Sequence, residues 1–445
     1  MEESLLAELG DLIAIPSVSA DSAHAPDVRA AAQWVADYVV ASKGNARLEE
    51  RNGRPLVVGE IPASAVAGAP TVMCYGHFDV QPPPPLDLWE TEPFALTERN
   101  GYLYARGIVD DKGQLYMLLR AARELARRDE LPVNLRFCCD GEEEIGGHSI
   151  VDFLAEDDRG ADACVIFDSG MIRRGQPAFN LATRGVVYFH VTVRTGTRDL
   201  HSGMYGGAAL NAMHALLQTL SGVLPRNGRL PDELRVGRAE PTKEELADWG
   251  ALPPGADELA DQGARPMDDK AAQEFYLRTF AEPSVDVNGI EGGSPHLQKT
   301  VLPVFAEANV SIRLAPGQTV DEVAPAFERL LRESAPAGAD LDVGRWSAAP
   351  PGRVDPRAPA IRLAQDAFER ALGVRPVLIR SGGTLPIVPA LEDKGIPTVI
   401  TGFGLPDSNV HSPNERLVAD YLPLGVAAAR ELFLGFAELP AGQTA

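Results

Sequence analysis

Histidine and carboxylate side chains recur in this sequence directly after short apolar runs. The pattern occurs at His77 and Asp79 after TVMCYG, at the acidic residues of DGEEE (140–144) after LRFCC, at Asp168 after CVIF, at His411 soon after TVITGFG, and at the pair Asp110–Asp111 in GIVDDKGQ. Imidazole and carboxylate groups without thiolates suit Zn²⁺, and Mn²⁺ or Co²⁺ also fit such a set. The residue types therefore predict a metal centre.

The number of these residues points to more than one ion. Histidines and several carboxylates that meet at one edge of a sheet would repel one another unless a cation neutralised them. Five ligands, with one carboxylate bridging, are what two ions a few ångströms apart would take. Such a pair can hold a bridging water, lower its pKa toward ~7 and polarise a carbonyl group.

Each of these features also has an ordinary structural explanation. A lone histidine after a strand is usually a hydrogen-bonded structural residue, DD is often a helix N-cap pair, and EEE is usually a solvated turn. The alternative for the whole set is that the loops are simply acidic in an acidic protein. The joint placement at strand ends favours the metal centre.

The apolar runs that precede these residues alternate with helical segments. Helical periodicity is clear in 27–42, 113–128 and 359–372, and the runs between the helices are bounded by Gly, Pro or Asp. This alternation predicts an α/β domain with a mixed, mostly parallel sheet flanked by helices. In open α/β sheets, ligand sites gather at the carboxyl ends of the strands, which is where these polar residues fall.

The middle of the chain has a different pattern. GVVYFHVTVRT (185–195) and VFAEANVSIRLAPG (304–317) alternate like half-exposed strands; a helix is expected near Ala208 and another in DEVAPAFERLLRES. Residues 224–285 are rich in Pro, Gly and charge. The pattern predicts a catalytic domain formed by 1–186 and 349–445, with a small α+β domain, 187–348, inserted into it.

Composition narrows the choice of partners and compartment. The chain has 445 residues, and 41 Lys+Arg against 63 Asp+Glu give a net charge of −22. Nucleic acid and anionic membranes are therefore poor partners. No stretch approaches the ~20 apolar residues of a membrane helix. The N-terminus is acidic where a signal peptide would be basic, so a cytoplasmic protein is expected.

The cysteines are expected to be reduced and buried. Cys74, Cys138, Cys139 and Cys164 each lie within or at the end of an apolar run, and none shows CxxC spacing.

The sequence resembles the di-zinc metallopeptidase family that contains carnosinase-type dipeptidases, acetylornithine deacetylase, succinyl-diaminopimelate desuccinylase and carboxypeptidase G. The motifs that carry the resemblance, in chain order, are GHFDVQP (76–82), YARGIVDDKGQ (104–114), DGEEEIGG (140–147), IFDSG (166–170), TRGVVYF (183–189), DLHSGMYGG (199–207), KTVLP (299–303), SIRLAPGQ (311–318), SGGTLP (381–386) and HSPNE (411–415). The GHFDVQP, DDKGQ and DLHSGMYGG segments look most like the dipeptidase branch.

The resemblance implies a ligand for each position of a two-metal site. His77 and Asp168 would bind one ion, Glu144 and His411 would bind the other, and Asp110 would bridge the two.

The same resemblance assigns the residues around the ligands. Glu143 would be the general base, and Asp79 would hydrogen-bond the far nitrogen of His77. Asp111, Glu142 and Asp140 match no ligand position and are expected to be capping or solvated residues. From the sequence alone, the base and ligand pair within EEE could be shifted by one residue.

In this family the inserted segment is a lid that also forms a dimer interface. His201 would then reach the active site of the partner subunit and stabilise an oxyanion. Arg313 would bind the terminal carboxylate of the substrate, and Gly382, Gly383 and Thr384 would let the backbone approach it. The alternatives are a surface histidine, a surface salt bridge and a tight turn, respectively.

These features together predict a cytoplasmic, homodimeric dipeptidase with two divalent metal ions, most simply Zn²⁺. A near alternative is a deacylase of the same family that removes acetyl, succinyl or carbamoyl groups from amino acids. A distant alternative is a non-catalytic scaffold, which would lack a ligand or the base, whereas all the matched positions are retained.

Overall fold

A computed structural model describes residues 3–64 and 68–440 as two compact units. The first unit contains the described parts of Met1–Leu181, Val354–Ile379 and Ile387–Ala445, and the second contains Ala182–Arg353 and Arg380–Pro386. The second unit thus consists of an internal segment of the chain and of the short stretch Arg380–Pro386, which includes Gly382 and Thr384.

The strands and helices alternate along the first and last parts of the chain. In chain order the strands are β1 (Asn45–Arg51), β2 (Arg54–Ile61), β3 (Thr71–His77), β4 (Thr97–Arg99), β5 (Tyr102–Tyr104), β6 (Asn134–Asp140), β7 (Ala163–Phe167), β8 (Ala178–Asn180), β9 (Gly185–Arg194), β10 (Leu200–His201), β11 (Ser284–Glu291), β12 (Val301–Leu302), β13 (Phe305–Leu314), β14 (Asp340–Ala349), β15 (Val377–Ile379), β16 (Thr398–Thr401) and β17 (Arg416–Val418). The α-helices are α1 (Glu3–Ile13), α2 (Ala25–Ala41), α3 (Lys112–Arg127), α4 (Ser149–Glu156), α5 (Ser202–Tyr205), α6 (Ala212–Leu220), α7 (Lys243–Gly250), α8 (Gly255–Asp261), α9 (Phe275–Phe280), α10 (Val320–Ser334), α11 (Pro359–Leu372), α12 (Ile387–Asp393) and α13 (Tyr421–Gly435).

The first unit is built on a six-stranded sheet in the order β1-β2-β6-β3-β7-β16. The pairs β6/β3, β3/β7 and β7/β16 are parallel, and the two pairs at the β1 edge are antiparallel. The inner strands are buried along nearly their whole length, as expected for a parallel sheet covered on both faces. The predicted mixed, mostly parallel sheet flanked by helices is confirmed.

Parallel pairing brings the ends of the central strands to one edge. His77, the last residue of β3, is the register partner of Asp140, the last residue of β6. On the other side, Phe167 of β7 pairs with Thr401 of β16, and the Asp168 N–H donates to the Thr401 carbonyl at 3.1 Å. The polar loops that follow β6, β3, β7 and β16 therefore begin side by side at this edge.

The carboxylate of Glu8 ties helix α1 to the two helices that follow it. Glu8 accepts hydrogen bonds from the Tyr38 hydroxyl of α2 at 2.8 Å and from the Tyr116 hydroxyl of α3 at 3.0 Å. The guanidinium groups of Arg120 and Arg123, also on α3, donate to it at 3.1 and 3.0 Å. Helix α3 begins directly after Asp111, so these contacts support the loop that carries the acidic pair.

The second unit is an α+β unit with a four-stranded antiparallel sheet in the order β11-β13-β9-β14. Burial alternates along β9, and its inward side chains pack with those of α6 and α10 in one apolar core. Phe189 of β9 stacks on Phe327 of α10 with ring centroids 4.6 Å apart. The helix expected near Ala208 begins at Ala212, because the Asn211 side chain caps it there.

All four cysteines are free and buried, as predicted. Among residues 3–64 and 68–440, no helix has the length and apolar content that a membrane crossing requires.

Candidate metal centre

Three predicted ligands form a compact cluster at the carboxyl edge of the sheet. Ligand atoms of His77, Asp110 and Glu144 all lie within 4.8 Å of one another. His77 ends β3, Asp110 lies in the loop before α3, and Glu144 lies in the short 3₁₀ turn Glu143–Ile145 that follows β6. Gly146 closes this turn with a φ of 66°, a conformation that glycine adopts without a steric penalty.

The carboxylate of Asp110 lies between two histidines. Its Oδ1 is 3.0 Å from His77 Nε2, and its Oδ2 is 2.8 Å from His411 Nε2. Asp168 Oδ1 lies 4.0 Å from the same nitrogen of His77, and Glu144 Oε2 lies 3.1 Å from that of His411. The structure thus brings all five predicted ligands together, with one histidine at each oxygen of Asp110 and a further carboxylate beside each histidine.

The loop that presents His411 is held in an unusual backbone conformation. Asn409, His411 and Asn414 have φ values of 55°, 61° and 61°. Asparagine and histidine are among the non-glycine residues that enter this left-handed region most readily, and such residues cluster at functional sites.

The second ring nitrogen of His77 faces Asp79. His77 Nδ1 lies 3.1 Å from the backbone carbonyl oxygen of Asp79 and 3.4 Å from its carboxylate Oδ1. The other oxygen of the Asp79 carboxylate accepts a hydrogen bond from the Glu144 N–H at 3.2 Å. Asp79 therefore contacts one predicted ligand on each side: its backbone carbonyl lies within hydrogen-bond distance of the imidazole, and its carboxylate accepts from the Glu144 N–H.

Gln81 is a site residue that the sequence analysis did not identify. Its side-chain amide donates to Glu144 Oε2 at 2.8 Å, and its backbone N–H donates to Glu144 Oε1 at 3.1 Å. The signal was its position in GHFDVQP, two residues after Asp79.

Burial and crowded negative charge dominate the electrostatics of the cluster. Burial raises the pKa of Glu143 well above its ordinary value; His77 opposes this, and the charges of Asp168 and Asp110 add to it. Burial likewise raises the pKa of Asp168 to about 7. The cluster therefore holds more negative charge than its buried position favours.

The histidines respond to the same charges. Burial alone would lower the pKa of His77, but its hydrogen bonds with Asp110 and Asp79 and the charge of Asp168 raise that pKa well above 6.5. Hydrogen bonds with Asp110 and Glu144 raise the pKa of His411 to about 10. The carboxylates around His77 and His411 thus favour positive charge between them. This fits a divalent cation bound by oxygen and nitrogen donors.

The remaining acidic residues of the cluster satisfy backbone groups. Glu142 is buried, and its Oε1 accepts a hydrogen bond from the N–H of Ser149, the first residue of α4, at 2.7 Å. Asp140 Oδ1 accepts from the N–H groups of Gly141 and Glu142 at 2.7 and 3.1 Å. Asp111 Oδ2 accepts from the His77 N–H at 3.1 Å. All three are buried, so the solvated role does not apply. Glu142 caps the first N–H of α4, whereas the Asp111 side chain binds β3 and makes no cap hydrogen bond to α3.

The predicted substrate-binding residues of the second unit form a separate hydrogen-bonded group. Arg313 donates to the Thr384 hydroxyl at 2.9 Å, and that hydroxyl donates to the Arg184 carbonyl at 2.6 Å. Arg184 Nε donates to the Gly382 carbonyl at 3.1 Å, and Gly383 donates its N–H to Ser381 Oγ at 3.0 Å.

Arg184, in the TRGVVYF motif, was also not identified from the sequence. Burial, together with the neighbouring charge of Arg313, lowers its pKa to about 10. Two guanidinium groups close together favour an anion.

His201 lies elsewhere in the second unit and is exposed. Its Nδ1 accepts a hydrogen bond from the Gly203 N–H at 3.0 Å, at the start of α5, and leaves Nε2 on the other side of the ring.

Histidine and carboxylate side chains at the carboxyl ends of the strands of an α/β unit fit a metal-dependent hydrolase. The chain belongs to Peptidase family M20/M25/M40, whose sequence profile matches residues 73–434. Cys-Gly metallodipeptidase dug1 of Schizosaccharomyces pombe is 30% identical over 466 residues, which cover 96% of this chain and 94% of that protein.

Two solved structures agree with this assignment. Human carnosine dipeptidase 1 matches with a TM-score of 0.79 and 26% identity, over 98% of this chain and 96% of that chain. The M20 family metallo-carboxypeptidase Sso-CP2 from Sulfolobus solfataricus matches with a TM-score of 0.86 and 26% identity, over 98% of this chain and 100% of that chain. The predicted family and enzyme class, a metallodipeptidase, are confirmed, and the relatives favour this class over the deacylase.

Proposed function

We propose that the chain hydrolyses dipeptides with the help of two divalent metal ions held by the cluster at the sheet edge. The observation that carries the proposal is the carboxylate of Asp110, whose two oxygens lie 3.0 and 2.8 Å from the imidazoles of His77 and His411. A carboxylate that faces two separate histidines through separate oxygens is arranged to bridge two ions.

The five side chains divide into two ligand sets. His77 and Asp168 would hold one ion, His411 and Glu144 the other, and Asp110 would belong to both. The donors are nitrogen and oxygen only, which suits Zn²⁺, with Mn²⁺ and Co²⁺ as further candidates. Bound ions would acidify a water and polarise the scissile carbonyl.

Glu143 is the proposed general base. It precedes the proposed ligand Glu144 in the same 3₁₀ turn, and its carboxyl group interacts electrostatically with His77, Asp168 and Asp110. Glu143 would take a proton from the attacking water and pass it to the leaving amine. Asp79 would keep the imidazole of His77 in the orientation and tautomer that leave Nε2 free for the ion.

Recognition of the substrate is assigned to the second unit. Arg313 would bind the terminal carboxylate, with Gly382, Gly383 and Thr384 beside it, and His201 would stabilise the oxyanion in the site of a partner subunit. A homodimer and a cytoplasmic location belong to this proposal.

Glu143→Gln tests the proposal because it removes the base and keeps the shape. Turnover of a dipeptide panel should fall by about 10²-fold or more, while metal analysis still finds two ions per chain. Chelation should abolish activity, and added metal should restore it. A fully active Glu143→Gln protein, or purified active protein with only trace metal, would refute the mechanism.

Substrate panels separate the dipeptidase from its alternatives. N-acetyl, N-succinyl and N-carbamoyl amino acids test the deacylase, and tripeptides test the carboxypeptidase activity of the kind named for Sso-CP2. The proposal requires that free dipeptides give the highest kcat/KM.

A further inference from the structure

We infer that the buried ion pair of Arg106 and Glu415 is a positioning clamp, which fixes the loops of Asp110 and His411 against each other before metal binds. The inference rests on the proposed function for the identity of the ligands. Both residues belong to motifs of the sequence, YARGIVDDKGQ and HSPNE, but neither is among the proposed ligands or the base.

Glu415 concentrates its hydrogen bonds on the loop that carries Asp110. The residue is 0% exposed. Its Oε1 accepts from the N–H groups of Val109 and Asp110 at 2.8 and 3.1 Å. Its Oε2 accepts from the Gly107 N–H at 3.0 Å and from Arg106 Nη1 at 2.7 Å. One carboxylate thus holds three backbone groups of this loop, including that of the proposed bridging ligand.

Arg106, on the loop of Asp110, makes a hydrogen bond to the loop of His411. Its Nη2 donates to the Ser412 carbonyl at 3.3 Å, directly after His411. The Ala105 N–H donates to the backbone carbonyl of Glu415 at 3.2 Å, and the strand pair β5/β17 continues from there with Arg416 opposite Tyr104. Each member of the ion pair therefore makes hydrogen bonds to the loop that carries the other member.

A contribution to folding stability does not by itself explain why this ion pair is buried. Burying two charges costs free energy that their attraction only partly offsets, so buried ion pairs often add little net stability but specify one arrangement. Here the arrangement that they specify is the distance between Asp110 and His411. Partners of metal ligands typically contribute 10–100-fold to metal affinity through such orientation.

The direct test is metal affinity of the full-length Glu415→Gln protein. The variant keeps the shape of the side chain but replaces one acceptor oxygen with a donor that faces backbone N–H groups. Titration of apo-protein with Zn²⁺ against a chromophoric chelator should show a Kd about 10–100-fold higher than in the parent. At saturating metal, most of the dipeptidase activity should return.

Asp157→Asn is the matched control. It breaks another buried pair of the same unit, in which Arg136 donates to both oxygens of Asp157 at 2.6 Å. Arg136 lies near the start of β6, away from the carboxyl end of that strand. The control should lower the melting temperature and leave the Zn²⁺ affinity and the activity unchanged. Unchanged affinity in Glu415→Gln, or an equal loss in Asp157→Asn, would overturn the inference.

Hydrogen exchange of the parent protein decides the matter if Glu415→Gln does not fold. A clamp that acts before metal binds must protect the Val109 and Asp110 amides in the apo-protein. Exchange of these amides at the rate of an open loop would overturn the inference. Neither measurement depends on catalysis, so a failure of the Glu143 prediction would leave this test intact.

Discussion

At the scale of single residues, the block Glu142–Glu144 shows how identical side chains acquire different roles. Glu144 lies 3.1 Å from His411 and receives two hydrogen bonds from Gln81. Glu143 is held beside the cluster by the same 3₁₀ turn. Glu142 points back to the first N–H of α4 instead. The three side chains are chemically identical, so their different contacts result from the backbone turn that directs them.

Glu142→Ala should therefore affect stability and not catalysis. The Ser149 N–H at the start of α4 would lose its acceptor, and we expect the free energy of unfolding to fall by about 1–2 kcal/mol. Metal content and kcat should stay near those of the parent. Glu144→Ala is the comparison, because it should lose metal. A Glu142→Ala protein that keeps its metal and loses kcat would show that the assignments are shifted by one residue.

Most of the proposed site residues could be predicted from the sequence, but those that act through distant contacts could not. Motif order placed all five proposed ligands, and the structure brings them together. Gln81 and Glu415 were not recognised, because each acts through contacts with residues distant in the chain: 63 positions for Gln81 to Glu144 and 306 for Glu415 to Val109. Both residues lie in motifs of the sequence, but a motif does not show which distant groups a side chain reaches.

At the scale of elements, the helices around the sheet were predicted where their periodicity is strong. The segment 113–128 corresponds to α3 (Lys112–Arg127), and 359–372 corresponds to α11 (Pro359–Leu372). The three short helices within 224–285 were missed because they are brief and partly exposed. One local signal was present: Thr242 and Glu245 form a capping box at the start of α7.

Glu8→Gln should loosen the attachment of α1 to α2 and α3. Burial raises the pKa of Glu8, but hydrogen bonds from Tyr38 and Tyr116 and the charges of the two arginines outweigh it, so the pKa is lowered. A lowered pKa means stability that is present above the unfolded pKa of about 4.3 and is lost as the pH falls through the folded value.

The measurement is chemical unfolding of parent and variant at pH 7 and near pH 3. We expect a difference of about 1–3 kcal/mol at pH 7 that shrinks as the pH falls, because the parent carboxylate takes up a proton. Glu3→Gln, an exposed position of the same helix, is the control and should show no difference. A difference independent of pH would mean that the charge of Glu8 is not what stabilises the contact.

For the molecule as a whole, the proposed dimer predicts that each active site uses residues of both subunits. His201 is exposed in its own chain and would serve the site of its partner. His201→Ala and Glu143→Gln should each be nearly inactive alone. A mixed dimer would contain one site with both residues intact.

Mixing the two variants with subunit exchange should therefore restore activity. With random exchange of equal amounts, half of the dimers are mixed and each has one intact site, so about one quarter of the parent activity should return. Sedimentation should show a dimer throughout. No recovery after demonstrated exchange would place the action of His201 within its own chain or outside catalysis.

The proposed ligands are spread from His77 to His411, on either side of the internal second unit. The strand that leads to His411, β16, pairs with β7 across more than 200 positions of sequence. A chain emerging from the ribosome therefore cannot assemble the chelating set until nearly all of it has been synthesised. On the proposed mechanism, a nascent chain that lacks His411 has no complete metal centre and cannot hydrolyse peptides.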